Sequence, residues 1–144
     1  MRKRYNTLIF IGILLLTSYV LYPDSFPPRT PIKVVRLVSG LKISEGIKFE
    51  MLQDDWALNG DGTTHVKAKL TDKQLSDILK QASEQKYHAL PILEKSYELF
   101  IPEAIADAEN GYYQLKIDDD DPRDYTLTII DSDKKEMTVY IWFM

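Results

Sequence analysis

A tight-turn sequence between two runs of alternating polarity is the feature that most constrains this chain. Asn59-Gly60-Asp61-Gly62 supplies the positive backbone φ that a two-stranded hairpin requires at its turn. Apolar residues occupy every second position on both sides of it: Ile47, Phe49 and Met51 before the turn, and Val66, Ala68 and Leu70 after it. This period of two predicts two half-buried strands that pair antiparallel.

The first of these strands changes phase before it reaches the turn. Trp56 and Leu58 have the opposite parity to Phe49. Since one extra residue moves every later side chain to the other face, we expect a β-bulge near Gln53 to Asp55.

A capped helix follows the second strand. Thr71 and Gln74 have the spacing of a capping box, and Leu70 and Leu75 have that of a hydrophobic staple across the same cap. The apolar residues then recur at helical spacing: Leu75, Ile78, Leu79 and Ala82. This stripe predicts a helix packed on the apolar face of the hairpin, and Pro91 is its latest plausible end.

Further helices and strands are predicted on both sides of this unit. Thr30 to Gly40 favours a short helix, although its valines would also suit a strand, and Pro102 to Ala108 favours another. Three alternating runs near the end predict an antiparallel meander: Tyr113–Ile117, Tyr125–Ile129 and Met137–Phe143. We therefore expect an α+β domain with an antiparallel sheet of about five strands and one main helix packed on one face.

The beginning of the chain predicts a membrane anchor. Three cations, Arg2, Lys3 and Arg4, precede residues 5–22, which carry no charge and would extend roughly 27 Å as a helix. Residues 1–22 are thus expected to anchor the chain in the cell membrane, with residues 5–22 in contact with the lipid bilayer. The chain would be a single-pass membrane protein with its N-terminus in the cytoplasm. A cleavable signal peptide is the alternative.

The anchor prediction sets the expected domain organisation. Residues 23–31 contain four prolines and predict an extended linker. Residues 32–144 then form the small extracytoplasmic domain. The arrangement resembles that of many small exported bacterial proteins, a resemblance that assigns no functional residue.

Composition narrows the classes of partner. The net charge is -4, and setting aside Arg2, Lys3 and Arg4 leaves -7 for the rest of the chain. An acidic domain argues against a nucleic-acid partner. The chain has no cysteine, so disulfides, thiolate metal sites and thiol nucleophiles are excluded.

The residues that could support catalysis are few and lack a recognisable spacing. Asp118 to Asp121 is the densest acidic run, but it does not match a calcium-binding loop, and we expect a solvated turn there. His65 and His88 are expected to be two separate surface residues, because zinc sites need three or four protein ligands. No enzymatic activity, metal or cofactor is predicted; a metal-assisted hydrolase using the aspartates with His65 or His88 is the least favoured hypothesis.

Five residues form the candidate partner surface. Trp56, beside Asp54 and Asp55 near the hairpin turn, suits contact with a basic partner, although burial under the helix is the more common position for such a tryptophan. Tyr140 and Trp142 would either pack under the segment 92–108 or lie in an exposed patch.

The resulting functional hypothesis is a membrane-anchored, non-enzymatic binding or accessory domain. Its partner would be an envelope or membrane protein. The main alternative is an immunity-like protein that neutralises a basic toxin at the membrane through its acidic surface.

Overall fold

A computed structural model describes residues 2–22, 29–58, 60–92 and 107–144, with side chains from residue 9 onward. These residues form a small α+β domain with three helices and a six-stranded antiparallel sheet. The elements in chain order are α1 (Arg2–Leu21), α2 (Pro31–Ser39), β1 (Glu50–Trp56), β2 (Gly62–Lys69), α3 (Asp72–Glu84), β3 (His88–Ala89), β4 (Gly111–Ile117), β5 (Tyr125–Asp131) and β6 (Glu136–Phe143).

The strands lie in the order β1-β2-β6-β5-β4-β3, and each neighbouring pair is antiparallel. The predicted hairpin and the predicted meander are both present, and they join where β6 pairs with β2. The expected number of five strands is wrong. The sixth strand is the two-residue β3, which pairs with Tyr112 and Tyr113 of β4 and is too short to give a sequence period.

The β1–β2 hairpin is confirmed, with Trp56 opposite Gly62 and Asp55 opposite Thr63. Its register shifts between Met51 and Gln53, so the bulge lies about two residues earlier than predicted. Gly60 has a φ of 98°, which explains why the turn requires a glycine there. The neighbouring Asn59 lies outside the described residues.

The start of α3 is confirmed in detail. Thr71 Oγ1 accepts a hydrogen bond from the Gln74 amide at 3.3 Å, and the Thr71 amide donates to Gln74 Oε1 at 2.9 Å, which is a complete capping box. The buried residues of the helix are Leu75, Ile78 and Ala82. These match the predicted stripe.

Two helices, and not one, cover the same face of the sheet. The predicted helix at Thr30 to Gly40 is present as α2, with Pro31 in its first turn and Gly40 in the left-handed conformation after its end. The core on this face joins both helices to β2 and β6 and contains, among others, Val34, Val35, Leu75, Ile78, Val66, Ala68, Val139 and Ile141. We call this the helical face.

The opposite face of the sheet carries a second cluster. It contains Leu90, Ala108, Tyr113, Tyr125, Leu127, Ile129 and Tyr140, with Trp142 packed against it. Because Ile92 packs against this cluster and Ala108 belongs to it, the two ends of the segment predicted to cover Tyr140 do lie on that face. Residues 93–106, including most of the helix predicted from Pro102 to Ala108, lie outside the described residues.

The predicted membrane-spanning helix is wrong. α1 has 20 residues and ends at Leu21, and its first three residues are the cations Arg2, Lys3 and Arg4. The 17 residues that remain include four polar ones, Asn6, Thr7, Thr17 and Ser18. Within the described ranges, no helix is both long enough and apolar enough for a membrane crossing. The predicted anchor, its orientation and the single-pass membrane localisation are corrected accordingly.

Candidate binding surface

The five residues predicted as a partner surface divide between the two faces of the sheet. Asp54 pairs with Thr64, and side chains alternate along a strand, so Asp54 and Trp56 lie on the helical face with Thr64. Asp55 lies on the opposite face, as do Tyr140 and Trp142 of β6. The residues predicted to form one partner surface therefore lie on two opposite faces of the sheet.

We expected Trp56 to be buried under a helix, but it is partly exposed. Its exposed fraction is 38%, and its ring packs edge-on against Phe143 with centroids 5.7 Å apart. Arg29 covers the ring, with its guanidinium carbon 4.7 Å from the centroid. The helices protect the middle of the helical face, whereas Trp56 lies at its end, beside the hairpin turn.

A hydrogen-bond network fixes the position of the Trp56 ring. Trp56 Nε1 donates to Thr64 Oγ1 at 2.9 Å and to Asp54 Oδ1 at 3.0 Å. The Thr64 hydroxyl donates to the same Asp54 oxygen at 2.7 Å. Thr64 is fully buried, so this network is held on a rigid part of β2.

Arg29 joins this network from a distant part of the chain. It precedes α2, and its Nη2 donates to Thr64 Oγ1 at 2.8 Å and lies 3.5 Å from Asp54 Oδ1. The guanidinium thus contacts an aromatic ring, a hydroxyl oxygen and a carboxylate at once. We call Arg29, Asp54, Trp56 and Thr64 the Arg29 cluster.

The cluster lies at an acidic end of the sheet. The β1–β2 turn, the β4–β5 connection and the end of β6 meet at this end. Trp56 pairs with Gly62 and Gly62 with Phe143, while Tyr125 at the start of β5 pairs with Trp142. The described aspartates here are Asp54, Asp55, Asp61, Asp118, Asp119, Asp120, Asp121 and Asp124. Phe143 contributes to two clefts at this end, one lined by Asp54, Asp55 and Asp61 and the other by Asp118 and Asp124.

The carboxylates of the β4–β5 connection largely stabilise the turn itself. Asp118 Oδ1 accepts a bond from the Asp120 amide at 2.8 Å, and Asp121 forms an ion pair with Arg123 at 2.6 Å. Hydrogen bonds from the Arg123 side chain and amide lower the pKa of Asp121 to about 2. Asp119 has no such role in the described contacts, so its carboxylate is available to a partner.

The two histidines lie far apart. His65 is on β2 and His88 on β3, and these strands are separated by four strand spacings, or roughly 19 Å. Burial lowers the pKa of His65, as does the charge of Lys67, while Glu136 acts in the opposite direction. Among the residues that the structure describes, no three His, Asp or Glu side chains converge in a way that could hold a metal ion. The residues named for the hydrolase hypothesis are therefore not brought together.

Tyr140 and Trp142 belong to the second cluster of the core. Tyr140 has an exposed fraction of 5%, its ring contacts those of Tyr125 and Trp142, and burial raises its pKa. Trp142 is half-buried and stacks on Tyr140 with ring centroids 6.2 Å apart. Tyr140 is thus shielded from a partner at this position.

Sequence reasoning identified Asp54 and Trp56 but missed Arg29 and Thr64. Thr64 could have been recognised, since it shares the parity of the buried Val66 and a buried hydroxyl needs partners. Arg29 gave no signal, because nothing in a proline-rich stretch indicates which side chain it will contact. In comparisons with known proteins, no family model, no curated protein and no solved structure matches this chain.

Proposed function

We propose that this domain is a non-enzymatic binding module whose acidic end contacts a basic partner protein. The observation that carries the proposal is the position of Trp56, a partly exposed tryptophan surrounded by aspartates and held rigidly by Thr64. Tryptophan and arginine are the residue types most enriched at the centres of protein interfaces. Leu58, fully exposed in the hairpin turn, extends the apolar part of this surface.

Charge supports a basic partner over an acidic or neutral one. A concentration of like charges repels acidic surfaces and raises the association rate with basic ones by long-range attraction. The exposed Asp55 and Asp119 contribute to this field from two different connections of the sheet. The expected complex is therefore sensitive to ionic strength, with a slower association rate as salt is added.

The proposal is tested by reversing charge at the acidic end of the full chain. In the variant with Asp55→Lys and Asp119→Lys, a partner recovered by crosslinking in cells and then purified should bind about tenfold or more weakly, which corresponds to about 1.4 kcal/mol. The matched control is Asp77→Lys with Glu84→Lys, two exposed carboxylates of α3 that give the same change of net charge elsewhere. Equal loss of binding in both variants, or in neither, would contradict the proposal.

An immunity-like role is a narrower form of the same proposal, and the density of aspartates favours it. The partner would then be a basic toxin, and cells that produce the chain would survive exposure to it. The Asp55→Lys, Asp119→Lys variant should lose protection, whereas the α3 control variant should keep it. A deletion strain that tolerates every neighbouring strain would argue against this role.

A further inference from the structure

In the Arg29 cluster, the side chain of Arg29 binds to the other three residues much as a ligand binds to a site. Its contacts indicate which kind of chemical group those three residues can bind. Trp56, Asp54 and Thr64 lie on the paired strands β1 and β2. Arg29 comes from outside the sheet, 35 residues before Thr64 in the sequence. The first three residues form the site, and the fourth occupies it.

The three sheet residues hold one another in place by bonds that do not involve Arg29. The Thr64 hydroxyl uses its proton on Asp54 and one lone pair on Trp56 Nε1. Its second lone pair remains for an outside donor, and this is where Arg29 Nη2 binds at 2.8 Å. An acceptor oxygen, a carboxylate and an aromatic face within reach of one another fit a planar cation that has several donors.

Arg29 itself is held in a way that permits exchange. Its side chain is 41% exposed and that of Asp54 is 31% exposed, so water and salt reach the ion pair. Its cation–π contact is likewise at an exposed site, where such contacts are weak. An equivalent group offered by a second molecule would find the same partners at comparable strength.

We propose that Trp56, Asp54 and Thr64 form a guanidinium-binding site that Arg29 occupies within the chain, and that the partner inserts an arginine side chain there in its place. The identity of the incoming group rests on the proposed function, whereas the site itself does not. Arg29 then acts as an internal competitor, and the partner's affinity is reduced by the fraction of molecules in which Arg29 is bound. Lysine is a poorer ligand, because its compact, strongly hydrated ammonium has no planar face to place against the Trp56 ring.

The experiment uses the indole N–H signals in the NMR spectrum of the full chain, which has two tryptophans, Trp56 and Trp142. The probe is N-acetyl-arginine methylamide, and N-acetyl-lysine methylamide at equal ionic strength is the control. In the Arg29→Ala variant, the arginine probe should shift the Trp56 signal saturably at millimolar concentration and leave the Trp142 signal unchanged. The wild-type chain should need about tenfold more probe, because the tethered Arg29 competes at a high effective concentration.

Two further variants keep the result decisive. The Arg29→Lys variant retains a tethered cation and replaces Arg29→Ala in this experiment if that variant does not fold. It should bind the arginine probe more tightly than the wild-type chain does. Asp54→Asn, combined with Arg29→Ala, should abolish the saturable shift. Equal responses to arginine and lysine probes, or equal probe affinity with and without Arg29, would overturn the inference. Since no partner protein is used, this outcome is independent of the charge-reversal experiment, and either proposal can fail while the other stands.

Discussion

Replacement of Thr64 by valine is the most direct test of how the candidate site is built. The change exchanges a hydroxyl for a methyl group at nearly constant volume, at a fully buried position. Three hydrogen bonds are lost, those with Arg29, Trp56 and Asp54. The indole N–H keeps its bond to Asp54 at 3.0 Å, and Asp54 is exposed enough for water to replace the lost donor.

The expected change in the free energy of unfolding follows from the hydrogen bonds that water cannot replace in the variant. The bond from the buried hydroxyl to a carboxylate contributes about 1.5–3 kcal/mol, and part of this returns when Asp54 is hydrated. Burial of the new methyl group contributes about 0.8 kcal/mol in the opposite direction. We therefore expect Thr64→Val to lower the free energy of unfolding by about 1 kcal/mol, or the melting temperature by about 2–5 °C.

The assay is urea denaturation of the full chain, followed by tryptophan fluorescence, with Thr63→Val as the matched control. Thr63 is the adjacent residue of β2, is half-buried and faces the other side of the sheet, so the control reports the general effect of valine on this strand. A double-mutant cycle with Arg29→Ala should show a coupling of several tenths of a kcal/mol. A Thr64→Val variant as stable as the wild type, or a cycle with no coupling, would refute the network as described.

Two further predictions concern the rest of the sheet. The Glu136 carboxylate is desolvated by burial, which alone would raise its pKa, but hydrogen bonds from Lys67 and Lys69 at 2.7 and 2.8 Å more than offset this, and its pKa is lowered from the ordinary 4.5. The stability that the Glu136 carboxylate contributes is therefore present above about pH 4.5 and is lost as the pH falls through the pKa of the folded state. Glu136→Gln should be about 1 kcal/mol less stable than the wild type at pH 7, and urea titrations below pH 4.5 should show a smaller difference. A difference that does not vary with pH would contradict the assignment. Gly111 has a φ of 130°, and a Cβ there would clash with the Ile130 carbonyl oxygen. Gly111→Ala should therefore lower the free energy of unfolding by more than about 2 kcal/mol in the same urea titration. In the control, Gly46→Ala, the new Cβ meets only side-chain atoms at 3.8 Å or beyond, and the loss should be under about 1 kcal/mol.

The parts of the fold that local chemistry determines were predictable from the sequence. The Thr71–Gln74 capping box needs only its own four residues, and the β1–β2 hairpin needs only its turn glycines and alternation on both sides. β3 could not be predicted, because a two-residue strand exists only through its pairing with β4. The predicted membrane span was wrong because a run without charges does not by itself make a helix that is both long enough and apolar enough to cross a membrane.

The candidate site was predictable only in part, for a related reason. Parity placed Trp56 on one face, but it could not show that α2 and α3 would leave the end of that face uncovered. The contact of Arg29 with Trp56 joins residues that are far apart in sequence and is produced by the way the chain enters α2. Asp55, Tyr140 and Trp142 were grouped with Trp56 by composition, although the sheet separates them.

The position of β6 has a consequence for biosynthesis. It is the last of the six strands to leave the ribosome, yet it lies between β2 and β5, so the β1–β2 hairpin and the β4–β5 pair cannot join until residues 136–143 have emerged. Until then both pieces present apolar residues such as Val66 and Ile130 to the solvent, with open strand edges available to other nascent chains. A premature stop after Asp131 and before Glu136 would thus release two unjoined half-sheets with exposed apolar faces and open edges.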